Sequence, residues 1–192
     1  MDIERAYVII GLLAPPFNHE DYYAVDLLAH ILGRGVNPLL NFAFQGRRRL
    51  AESVSTRYVS LKYGGAFLVY LTAKPGNIHA AENAAIKFLK RTRSLRYSKK
   101  DFLQKNESIV FDYLESAKSR TRLRSEQAGE KGLHSAVSYA RYMLLAAGAK
   151  KMNYKRSIHE TNSSHLRDAA GRYLSGKKYV VVSLVPHKKN KK

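Results

Sequence analysis

The spacing of apolar residues changes period several times along the chain, and each change marks a structural element. Residues 6–13 (AYVIIGLL) form a near-continuous apolar run ended by Ala14-Pro15-Pro16, which predicts a buried strand. From Asp21 the spacing becomes helical. Tyr23, Leu27 and Ile31 recur at intervals of four, as do Ala24, Leu28 and Leu32, giving one broad apolar face that Gly33-Arg34-Gly35 interrupts. Asn37 to Phe44 continue as a short helix, with Pro38 tolerated only in its first turn. Two strand-like runs, about 53–62 and 66–73, flank Gly64-Gly65, a suitable turn for an antiparallel hairpin.

Lys74-Pro75-Gly76-Asn77 closes that hairpin. A helix follows over about 78–94, with Ile78, Ala81, Ala85, Phe88 and Leu89 facing inward and lysines and arginines outward. Ser98 is an N-cap for a long helix whose apolar face carries Phe102, Ile109, Val110, Tyr113 and Ala117. The polar stretch 118–132 reads as a helix end or connection, and another helix is predicted near 133–147. The last helix spans 161–174, capped by Thr161 or Asn162, with Leu166, Ala169, Ala170, Tyr173 and Leu174 on its inner face and Gly176 at its end. Lys178 to Val185 form a final strand closed by Pro186. Strands and helices alternate only in part, and the hairpin requires antiparallel pairing. The predicted class is therefore α+β: a mostly antiparallel or mixed sheet with helices packed on it. We expect one domain over 1–186 and a basic, disordered tail over 187–192.

Composition narrows the class of protein. A chain of 192 residues with 45% hydrophobic residues can bury an ordinary core. The absence of cysteine excludes disulfides, thiolate zinc sites and cysteine nucleophiles, and leaves the redox compartment open. No run of about 18 unbroken apolar residues predicts a membrane span, and the N-terminus lacks the regions of a signal peptide. A soluble protein is expected. A piece cut from a larger precursor would look the same. The net charge of +19 predicts attraction to polyanions and acidic partners. Its lysines and arginines are spread along the chain, from Arg47-Arg48-Arg49 to the terminal lysines, and so describe a generally basic, solvated surface.

The order of elements, with its punctuation, resembles the C-terminal repeat domain of the pitrilysin/insulinase family of zinc metallopeptidases. AYVIIGLLAPPFNHEDYYAVDLLAHILGRG resembles the family's opening strand, turn and helix. AESVSTRYVSLKYGGAFLVYLTAKP resembles its central hairpin. Ile158-His159-Glu160-Thr161 with HLRDAAGRYLSGKKYVVVSLVP resembles its closing helix and strand. The resemblance covers nearly the whole chain and implies the same α+β fold. It also implies a half-shell that, with a second half-shell, encloses a peptide chamber.

Active members of that family hold zinc with His-x-x-Glu-His on a helix. The two histidines bind the metal, and the glutamate activates its water. No such motif occurs here. The nearest spelling, His79-Ala80-Ala81-Glu82-Asn83, lacks the second histidine and lies after the hairpin; it reads as a surface helix start. When the family's repeats are superposed, the motif falls on Asp26-Leu27-Leu28-Ala29-His30, where Ala29 replaces the base. The resemblance further implies an arginine and, seven residues on, a tyrosine that hold the peptide and the reacting carbonyl. Gln45 and Glu52 stand at those positions, Arg47 is a neighbouring substitute, and no tyrosine follows before Tyr58. The seven histidines show no pair at metal-ligand spacing, and neither Ser163-Ser164-His165 nor the glycine pairs form a nucleophile elbow or a phosphate loop.

These readings imply a non-catalytic half. It would need no cofactor of its own, with zinc held by a homologous domain or subunit, and would help to enclose a peptide paired to a sheet edge. The basic surface would favour acidic peptides or an acidic partner half. Two alternatives stay open: a degenerate structural subunit with no part in proteolysis, and a nucleic-acid-binding module suggested by the charge. A domain of this type standing alone would leave one large face bare, so a dimer or larger assembly is expected.

Overall fold

A computed structural model describes residues 3–34, 38–44, 49–97, 113–120, 144, 154–176 and 178–186. Four strands form one sheet in the order β2-β3-β1-β4: β1 (Ala6–Ala14), β2 (Ser53–Ser60), β3 (Gly65–Ala73) and β4 (Val180–Leu184). Every pairing is antiparallel, as the hairpin required, so the sheet is antiparallel throughout. Helix α1 spans Tyr22–Gly33, α2 Asn41–Phe44 and α3 Ile78–Arg91; residues 113–120 are helical (α4), followed by α5 (Tyr154–Glu160) and α6 (Ser163–Ala169). Pro38 lies ahead of α2 instead of inside its first turn. The helix predicted near 133–147 and most of the one begun at Ser98 lie outside the described residues, as does the 187–192 tail.

One face of the sheet carries the core. Ala6, Val8, Ile10 and Leu12 of β1 and Phe67, Val69, Leu71 and Ala73 of β3 are buried there beneath the helices. Helix α3 packs on β1 and β3 with Ile78, Ala81, Ala85, Ile86 and Leu89 buried. Phe88, expected inward, is only half-buried; Ile86 takes the enclosed place. The last predicted helix is not continuous. After α6 the chain makes a π-helical turn, Ala170–Leu174, in which the Ser175 N–H donates to the Ala170 carbonyl at 2.9 Å. Of the two predicted caps, Asn162 is the one used. Its side chain accepts from the Ser164 and His165 N–H groups, and His165 returns a bond by accepting from the Asn162 N–H. Helix α5 went unpredicted because its sequence, YKRSIHE, is mostly polar or charged around the buried Ile158 and shows no periodic apolar stripe.

The opposite face of the sheet is where the sequence reading needs correction. The near-continuous apolar run of β1 predicted a strand buried on both sides. Its burial instead alternates strictly: Tyr7, Ile9 and Leu13 point away from the core, and Leu13 is 77% exposed. β4 is more open still, with Val180, Val182 and Leu184 all more than half exposed. Among the described residues, no helix is long and apolar enough to cross a membrane.

Helix α1 is seated on the edge strand β2 by close backbone approach. A Cβ on Gly33 would collide with the Thr56 backbone nitrogen and side chain, and backbone there cannot move aside. Replacing Gly33 with alanine should therefore lower the unfolding free energy by about 1–3 kcal/mol in urea denaturation. Gly76 meets nothing within 4 Å of its would-be Cβ, so the same change there should stay within about 0.5 kcal/mol.

Candidate functional site

Asp26 to His30, onto which the resemblance would lay a zinc motif, lie in the middle of α1. The helix starts at a turn built by proline. Phe17 N–H donates to the Leu61 carbonyl at 3.0 Å, and the Tyr58 hydroxyl donates to the Pro15 carbonyl at 2.7 Å. These bonds tie the β1–α1 turn to β2 and bring four aromatic rings together. Tyr22 lies 5.0 Å from Phe17, 5.2 Å from Tyr23 and 5.6 Å from Tyr58, centroid to centroid. Offset and edge-on rings at these spacings attract through their quadrupoles. Burial, then the nearby Tyr22 and Asp26, push the Tyr58 hydroxyl well above the ordinary tyrosine range. It serves here as a fixed donor, not as a proton carrier.

Asp26 and His30 lie one helical turn apart on α1, but they are not equivalent. Asp26 is half-buried beside Tyr58, whereas His30 is 8% exposed and lies among the core side chains. Ala29 is fully buried, and its carbonyl accepts the Thr56 hydroxyl at 2.5 Å. One turn on, the Arg34 Nε donates to the Thr56 carbonyl at 2.8 Å. A glutamate at 29 would have to displace this packed seam. Among the described residues no three His, Asp or Glu side chains are grouped to hold a metal ion. His79 is exposed at the start of α3, 3.8 Å from Glu82, as a surface helix start requires.

Of the three residues proposed to contact peptide, Gln45 and Arg47 lie outside the described residues. Glu52 is described. It precedes β2, its N–H donates to the Thr72 carbonyl at 2.8 Å, and its carboxylate pairs with Arg5 at 3.0 Å. The carboxylate thus clamps the start of β1 to the start of β2, at the end of β2 away from Tyr58.

A second cluster beside α1 has no counterpart in the local sequence pattern. Asp21 immediately precedes the helix, where an aspartate ordinarily caps it. It makes no cap bond. Its carboxylate, 7% exposed, accepts from the Arg172 guanidinium on Oδ1 and from the Tyr173 hydroxyl on Oδ2, both at 2.8 Å. The π-helical turn presents those two donors. His19 Nδ1 accepts the Asp21 N–H at 3.1 Å, so its 3.5 Å approach to the carboxylate is not that of a proton donor. Nearly the whole described chain separates Asp21 from its partners. Only a buried acid adjoining a basic-aromatic pair in a closing helix could have signalled it, and neither is visible before folding.

Two measurements check this strap. Asp21→Asn should cost about 1–3 kcal/mol in urea denaturation, because the carboxylate's charge-assisted bonds become neutral ones and Arg172 keeps only the longer 3.7 Å pairing with Glu20. Burial, and then the bond to Asp21, push the Tyr173 hydroxyl up to about 12; burial alone also raises Tyr97, which lies fully enclosed with its hydroxyl on the Thr92 carbonyl at 2.6 Å. An unfolded tyrosine ionises near 10, so above that pH the folded state holds more protons than the unfolded one. Stability should therefore be complete below about pH 10 and fall as pH rises toward about 12. The denaturation midpoint measured against pH should decline over that window.

The family model for the peptidase M16 inactive domain matches residues 1–107, more than half of the 192-residue chain. No curated protein sequence matches it. Solved structures share the fold at low identity. A protease from Helicobacter pylori is 20% identical with a TM-score of 0.78, over 96% of this chain and 42% of its own. The inactive peptidase domain of a protein described as a zinc protease from Bordetella parapertussis is 18% identical with a TM-score of 0.77, over 97% and 94%. A chain of complex III from Candida albicans is 14% identical with a TM-score of 0.74, over 94% and 43%. The chain thus spans well under half the length of the first and last of these. With the inactive-domain model matching more than half of its length and the same fold in these structures, this chain belongs to the M16 peptidase family as an inactive-type domain.

Proposed function

We propose that this domain is the non-catalytic half of a zinc metallopeptidase, working with a homologous half that carries His-x-x-Glu-His and holds the zinc. The observation that carries this reading is α1 itself: it keeps the family's strand, turn and helix but replaces the base with a buried alanine and encloses His30. The domain then contributes walls, not chemistry. Two relatives more than twice as long as this chain place the same fold beside as much sequence again, which suits a unit built to be paired. The bare sheet face, with Tyr7, Ile9 and Leu13 exposed on β1, supports a partner of this kind. The reaction proposed for the complete enzyme is hydrolysis of a peptide bond by zinc-activated water, all of it on the partner half.

A scaffold with no part in proteolysis is favoured by one observation. Glu52, at the position of the family's peptide-holding tyrosine, is tied to Arg5 at 3.0 Å and makes a clamp between strands.

The test is to co-express the tagged chain with a His-x-x-Glu-His homologue encoded alongside it and to assay peptide cleavage. The pair should cleave, each chain alone should not, and a chelator should abolish the activity. A stable pair without cleavage would select the scaffold; the absence of any pair would reject both readings.

A further inference from the structure

The two edges of the sheet are treated differently. At β2 the middle of the edge is covered: α1 is pressed against it, Arg34 occupies the Thr56 carbonyl, and a Cβ on Gly33 would already collide there. At β4 no further strand pairs among the described residues. In an antiparallel edge strand, alternate residues turn both N–H and C=O away from the sheet, which makes a template for another strand. Natural sheets blunt such edges with lysine, proline, a bulge or an inward charge. Val180–Leu184 (VVVSL) has none of these, and its pairing with β1 runs in unbroken register from Tyr7↔Leu184 to Gly11↔Val180.

The register also orders the outer face. Leu184 sits beside Tyr7 and Val182 beside Ile9, all at least 39% exposed, while the rows beyond β3 end in Ser53 and Ser55 of β2. In these two rows the apolar side chains run from β4 across β1 and give way to serine on β2. Charge decides between occupants. No acidic residue lies on β1, β2, β3 or β4, Arg57 is the one charged residue of their outer rows, and exposed Lys178 precedes β4. Exposed Glu4 and the Glu52–Arg5 pair lie at the Leu184 end of the sheet, opposite Lys178. Two copies of the chain joined at β4 would each bring a net charge of +19, whereas an acidic segment is attracted.

We propose that β4 is a strand-addition site for an extended segment of another polypeptide that alternates apolar with acidic residues. The incoming backbone pairs with the free groups of β4 while its apolar side chains extend the Val182–Ile9 and Leu184–Tyr7 rows. This goes beyond pairing with a zinc-bearing half and does not need it. Peptide binding reads strand addition, whereas the co-expression assay reads the other half, so each can fail alone.

The experiment is fluorescence anisotropy with the full chain and a labelled synthetic peptide of alternating valine and glutamate. Three controls accompany it: the valine–lysine counterpart, the valine–glutamate peptide N-methylated at alternate amides in either register, and the V182K/L184K variant. Both substituted side chains are more than half exposed, so the variant should fold, as its circular dichroism and urea midpoint will verify; V182T serves as a second, milder variant. The acidic peptide should bind, and the double variant should weaken it at least about tenfold. The lysine peptide and one N-methylated register should lose binding to a similar degree. Equal binding of both N-methylated registers would mean surface charge alone and would overturn the proposal. So would failure of the acidic peptide to bind, or a self-association in sedimentation that V182K/L184K abolishes, which would assign the edge to a second copy.

Discussion

The seam between α1 and β2 holds the architecture together. A helix can lie this close to an edge strand only if the crossing point has no side chain, and Gly33 supplies that point. The contact is then made polar and specific. Thr56 donates to the Ala29 carbonyl, and its own carbonyl accepts from Arg34, so a strand group that would otherwise be open is satisfied by a helix end. Buried polar groups are tolerated where they are paired in this way. Because the seam fixes α1 against β2, it also fixes which residues of the helix are enclosed.

The same seam accounts for how Ala29 is accommodated on α1. Ala29 does not leave a hole; it is fully buried and its backbone is engaged. Tyr22, Tyr58 and Phe17 fill the neighbouring space with rings, and the Tyr58 hydroxyl is committed to Pro15. Across the helix start, Asp21 gives up its capping role to bind Arg172 and Tyr173 from the π-helical turn. These bonds join the start of α1 to the turn that follows α6.

Much of the fold was legible. The hairpin announced itself through Gly64-Gly65 between two strand-like runs, and observed β2 and β3 lie within a residue or two of the predicted limits. The periodic stripe of α1 and the final strand were also found. What could not be read was the depth of burial on each side of the sheet. β1 is apolar on both faces, so its sequence is the same whether one face is covered or two; only the placement of the helices on one side settles that Tyr7, Ile9 and Leu13 point outward. Helix α5 escaped for the opposite reason, since it has too few apolar residues to form a stripe.

The sequence by itself determined the fold class, the absence of His-x-x-Glu-His and the resemblance to a non-catalytic metallopeptidase domain. These depend on local periodicity, turn residues and short spacing, which the chain carries wherever it is placed. The tertiary structure decided the roles of single residues. It tied Glu52 to Arg5, enclosed His30, drew Asp21 to a partner 151 positions away and left β4 as the open edge of the sheet. Each of these depends on which distant element arrives beside a residue, and that is set by long-range packing that no local pattern encodes.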